Sequence, residues 1–136
     1  MPARVRSRDV LRWTPPAVIL AVIVVFSLGP ASAPGGFSLA DKLWHALAYM
    51  ALTGSLLRAT GPQGRLRLVA VWVLVIGVAL EFVQALDLFA DRRPDATDVL
   101  ADALGVIAGL TVWLTLDHLA KRSRPRAREG GNGVVG

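Results

Sequence analysis

Asp41, Lys42, His45 and Tyr49 stand within nine residues of one another in DKLWHALAYMALTG (residues 41–54), a stretch that is otherwise apolar. Steps of four from Asp41 to His45 to Tyr49 stack these side chains along one face of a helix. A carboxylate and an imidazole on one face can share a ligand, and the imidazole can act as a general base or bind a metal. Lys42 beside them can hold a phosphate or carboxylate. Further on, Glu81-x-x-Gln84 sets an acid and an amide on one helix face, then Arg92 follows, then Asp98 and Asp102 one turn apart. A charge inside a bilayer costs at least roughly 2.5–3.5 kcal/mol, so such residues are read as functional first. His45, Glu81 and Asp98 are the candidates for chemistry. Asp41, Lys42, Tyr49, Gln84, Arg92 and Asp102 are the candidates for binding.

The elements that must position these groups are apolar. Hydrophobic residues make up 54% of the 136-residue chain and charged ones 18%, with a mean hydropathy of +0.52, outside the ordinary soluble range. The absence of cysteine excludes disulfides, thiolate metal sites and cysteine nucleophiles. Four apolar runs, at about 14–30, 39–57, 66–88 and 98–116, are each near the length a hydrocarbon core requires. They predict an all-α fold, a four-helix transmembrane bundle occupying residues 14–117. A basic N-terminus (1–13) precedes it and a basic, Gly-rich tail (118–136), expected to be disordered, follows.

Charge placement orients the bundle. Arg4, Arg6, Arg8 and Arg12, then Arg58, Arg65 and Arg67, then Lys121, Arg122, Arg124, Arg126 and Arg128 flank apolar runs. Short basic segments stay in the cytoplasm, which puts both termini and the second loop inside. Clustering of this kind speaks for membrane topology and against a nucleic-acid face. The opposite side carries Lys42, Arg92 and Arg93 against Asp41, Glu81, Asp87, Asp91, Asp95, Asp98 and Asp102, a balance of −4 in a chain of net +5. Trp13, Trp44 and Trp113 fall near span ends, where interfacial anchors belong. Ala31-Ser32-Ala33 after the first run resembles a signal-cleavage site, but bracketing prolines and Gly35-Gly36 favour a tight loop and a retained first span.

In this orientation every span after the first carries polar residues to the outer level. Glu81 lies about fifteen residues into its span, roughly 22 Å at helical rise. Thr97 or Asp98 is expected to cap the fourth helix, where negative charge suits the dipole. Gly105 and Gly109 form a small-xxx-small stripe on the Asp98/Asp102 side, a helix-packing feature that lets a neighbour approach that face. Two bare carboxylates at this depth would repel each other. Arg92 or His45 is therefore expected to neutralise Asp102 or Glu81.

Taken together, Asp41-Lys42-x-x-His45-x-x-x-Tyr49, Glu81-x-x-Gln84 and Arg92-x5-Asp98-x3-Asp102-x-x-Gly105 resemble the VanZ-like family of small bacterial membrane proteins, over about residues 40–110. The family pattern carries Asn where this chain has Asp102, so a negative charge stands here in place of a neutral amide. The resemblance implies a multi-pass protein of the bacterial cytoplasmic membrane, in a family whose founding member is linked to teicoplanin resistance.

Three functions fit these features. In the first, an outer-leaflet site binds or acts on a cell-envelope ligand, a lipid-linked precursor or a glycopeptide, with the lipid bilayer as its setting. A divalent metal is the one cofactor the residues suggest, although no compact motif of the H-E-x-x-H kind is present. In the second, the polar residues form a structural ion-pair network in a non-enzymatic scaffold or partner-binding protein. A proton-coupled transporter is the third, and it has least support because no span carries a charge near its cytoplasmic half.

Overall fold

The computed structural model describes residues 7–29, 38–61, 65–86 and 95–123. Four helices account for nearly all of them: α1 (Ser7–Leu28), α2 (Leu39–Thr60), α3 (Leu66–Ala85) and α4 (Ala96–Arg122). There is no strand among the described residues.

The outer helix ends depart from the apolar runs, each for a local reason. α1 begins seven residues before the predicted 14, so Pro15 and Pro16 lie inside it rather than at its start. Each proline frees a carbonyl one turn earlier, at Leu11 and Arg12. Both of those residues are exposed, so solvent or lipid headgroups can take up the freed carbonyls. α4 continues past residue 116 to Arg122, where the Asp117–Lys121 ion pair spans one turn at 2.6 Å. Lys121 and Arg122 in its last turn also suit the negative end of the helix dipole. α2 runs to Thr60 and closes on Gly61, whose φ of +83° is a backbone state that glycine adopts without strain. α3 ends at Ala85 with Leu86 as its cap, and residues 87–88 of the predicted run lie outside the described residues.

Three helices are long and apolar enough to cross a membrane: α1 from Val10, α3 and α4. α2 is equally long but carries Asp41, Lys42, His45, Thr53, Ser55 and Arg58, which lower its apolarity below that of the others. Burial runs opposite to that of a soluble protein. Phe26, Val78, Phe82 and Ile107 are more than half exposed, while Thr53, Glu81, Gln84, Asp98 and Asp102 are buried. Apolar surface on this scale, around an interior that also buries carboxylates, belongs against lipid.

Packing makes α2 the centre of the bundle. Its contact with α4 is the most extensive in the molecule, α1 and α3 pack against it as well, and α1 does not touch α4 among the described residues. The α2–α4 approach is close because Gly105 lies against the Ala46 backbone and Gly109 against the Met50 carbonyl and Thr53. The apolar core beneath comprises Ile23, Tyr49, Leu52, Leu57, Val69, Val73 and Val106, with Leu110 and Trp113 packed against it.

Candidate functional site

At one end of the bundle α2 and α4 begin while α1 and α3 finish, and the charged side chains meet there. Ser38 caps α2, its hydroxyl facing the Asp41 N–H at 3.4 Å, so the turns bearing Asp41, Lys42 and His45 open directly at this mouth. α4 is capped by Asp95, whose carboxylate accepts from the Thr97 N–H at 2.8 Å. Neither Thr97 nor Asp98 is the cap. Asp98 belongs to the first turn, and its side chain is released to face α2.

Lys42 and His45 tie α2 to the start of α4. Lys42 Nζ donates to Asp95 Oδ2 at 2.7 Å and also to Asp98 Oδ1. One turn deeper, His45 Nδ1 lies 2.9 Å from Asp102 Oδ1. The other ring nitrogen, Nε2, is 4.0 Å from Asp98 Oδ2. Asp102 is nearly sealed, its side chain 3% exposed, while the His45 side chain keeps 13%. Lys42 and Thr97 beside Asp95 hold that carboxyl well below the usual carboxylate range, at about 2. Asp95 therefore stays ionised at any physiological pH.

α3 supplies the third wall. Glu81 Oε2 accepts from the Asp95 N–H at 2.9 Å, so it steadies the start of α4. Glycine at position 77 leaves room for its neighbours. A Cβ there would stand 2.8 Å from Asp102 Oδ2 and 3.3 Å from the Tyr49 hydroxyl. Tyr49 is 2% exposed and forms the floor of the cluster.

Asp41, Lys42, His45, Tyr49, Glu81, Asp98 and Asp102 thus gather at one end of the bundle, over about two helical turns. Gln84 does not face them. It is buried against α1, where its Nε2 donates to the Ser27 carbonyl at 2.7 Å. Arg92 lies outside the described residues, as do the loop charges around it. Asp102 finds a hydrogen-bond partner in His45, and Glu81 finds a backbone N–H.

Asp95 and Gly77 enter the site without having been singled out in the sequence. A signal existed for each. Asp95-Ala96-Thr97 has the spacing of a side chain that caps a helix, and Gly77 precedes Glu81 by one turn on the same face.

Chemically the cluster is anionic. Five carboxylates (Asp41, Glu81, Asp95, Asp98 and Asp102) share the described cluster with one amine, Lys42, and one imidazole, His45. The described residues are therefore better suited to a cation, or to a ligand offering donors, than to a free phosphate. No sequence profile of a known family, no curated protein and no solved structure matches the chain.

Proposed function

We propose that the chain is a VanZ-like, multi-pass protein of the bacterial cytoplasmic membrane whose polar mouth binds or acts on a cell-envelope ligand, a lipid-linked precursor or a glycopeptide. In this reading all four helices cross the bilayer, both termini are cytoplasmic, and the mouth opens on the outer side. The observation that carries it is the convergence of charged side chains from α2, α3 and α4 on one end of a bundle with an apolar outer surface. An intramembrane cluster of this kind is costly to keep without a use. The basic segments at Arg65–Arg67 and Lys121–Arg122 lie at the opposite end of the helices, which supports the orientation.

Topology is testable directly. Alkaline phosphatase fused after Arg122 should be inactive, and the same enzyme placed between residues 87 and 94 should be active. The reverse pattern would invert the bundle and put the cluster on the cytoplasmic side.

A scaffold reading has one observation in its favour. Lys42 joins Asp95 to Asp98, and Glu81 binds the Asp95 N–H, so part of the network serves packing. His45→Gln and Glu81→Gln separate the two readings, because each glutamine retains a donor for Asp102 or an acceptor for the Asp95 N–H. A ligand site predicts near-normal membrane abundance with loss of any glycopeptide or envelope phenotype. Arg92→Lys, which keeps the charge but removes the planar fork, should behave alike. Abundance and phenotype falling in step in all three would make the network structural.

A further inference from the structure

His45 is set up as a ligand rather than merely as one half of an ion pair. Its Nδ1 meets Asp102 Oδ1 at 2.9 Å, and in the neutral ring that a metal requires, donation by Nδ1 to the carboxylate leaves the lone pair on Nε2. A buried carboxylate behind an imidazole is the arrangement that orients metal-bound histidines. Nε2 faces Asp98 Oδ2 at 4.0 Å, too far for a hydrogen bond. Two ligands of one tetrahedral ion, each at about 2.0–2.2 Å, lie roughly 3.3–3.6 Å apart, so a side-chain closure of about half an ångström brings both atoms onto one ion.

Asp98 provides a separate observation. Its side chain is nine-tenths buried, Lys42 occupies Oδ1, and Oδ2 has no hydrogen-bond partner among the described residues. A half-satisfied buried carboxylate aimed at a free imidazole nitrogen requires a cation or a donor between them. Asp41, one turn before His45 and exposed, completes the set: Asp41, His45 and Asp98 each offer a ligand atom, all within 4.8 Å of one another. Among the described residues the carboxylates outnumber Lys42, which favours a divalent charge at this point.

We propose that Asp41, His45 and Asp98 bind a divalent cation of borderline character, of the Zn²⁺ type, with Asp102 positioning the imidazole. One nitrogen and two carboxylates suit Zn²⁺ better than Mg²⁺, which prefers all-oxygen surroundings. Three protein ligands leave a coordination position open to water or to a donor atom of a substrate. The assignment rests on reading the cluster as a ligand site, and it names what that site holds first.

The test uses the full chain purified in detergent and stripped with a chelator. Zn²⁺ titration calorimetry should give saturable binding of one ion per chain, and Co²⁺ should develop visible absorption on the same site. Zn²⁺ should raise the unfolding midpoint by linkage. Asp41→Asn is the key variant, because Asp41 is exposed and joins no ion pair among the described residues, so folding does not depend on it. It should weaken Zn²⁺ binding by about tenfold or more, and His45→Gln should abolish the Co²⁺ absorption. Asp117→Asn, at the far end of α4, should change neither. Absence of saturable Zn²⁺ binding to the wild-type chain, or binding unchanged in Asp41→Asn, would overturn the assignment. If His45→Gln still abolished an envelope phenotype in that case, the ligand site would stand without a metal. Zn²⁺ binding lost in variants that kept the phenotype would instead uphold the metal and remove the envelope role.

Discussion

Gly105→Ala should lower the unfolding midpoint of the purified protein more than a methyl added at any other described glycine inside a helix. A Cβ at this position runs into the Ala46 carbonyl, with the Ala46 Cα also at 3.0 Å. These are backbone atoms of α2, so no side-chain rotation relieves the clash. The two helices must separate, and the α2–α4 contact is the largest in the fold. Overpacking of a tight interior costs about 1–3 kcal/mol, and a backbone clash belongs at the upper end. Gly54→Ala is the control, since nothing lies within 4 Å of its added Cβ. It should be neutral or stabilise the protein by about 0.5–1 kcal/mol, the ordinary advantage of alanine over glycine in a helix. Denaturant titration in detergent, followed by circular dichroism, would measure both. Equal effects at the two positions would mean that α2 and α4 do not approach as closely as Gly105 allows.

Lys42→Met is expected to have the other large effect, and a double-mutant cycle gives it meaning. Removing the amine strands Asp98, whose side chain is only 10% exposed, and breaking a buried pair from one side costs about 3–5 kcal/mol. Asp95 loses the same partner at little cost, because its side chain is 40% exposed and keeps its bonds to Thr97. Lys42→Met combined with Asp98→Asn removes both buried charges and should recover most of the lost stability. A strong coupling between the two positions would follow. Simple additivity would show that the amine and the carboxylate do not depend on each other, and that the Lys42 contacts are as weak as a surface pair.

The four helices and the end of the bundle that carries the charges were legible in the sequence. Apolar run length and helical periodicity are local properties, and the four-residue steps from Asp41 to His45 to Tyr49 and from Asp98 to Asp102 hold in any helix. Helix ends were legible only in part. Hydropathy marks where apolar side chains stop, whereas α4 continues beyond its apolar run because of an i,i+4 ion pair and favourable charge at its last turn. The fourth-helix cap fell to Asp95 rather than Thr97 or Asp98, a choice among neighbouring acceptors that depends on how the chain enters the helix.

Which helices meet was decided by tertiary packing. Residues within one span give no sign that α2 would take α4, parallel to it and distant in the chain, as its closest partner. Apolar faces in lipid do not discriminate among one another, so small residues and polar pairs select the contact. Gly105 and Gly109 marked one side of that contact in advance. The other side, Ala46, Met50 and Thr53, follows only from the register in which Lys42 meets Asp98 and His45 meets Asp102. The same register turns Gln84 away from the cluster toward Ser27, although it shares a helix face with Glu81. Periodicity places a side chain on a face of its own helix; the neighbour that face receives is set by how close the backbones can come and which charges must be paired there.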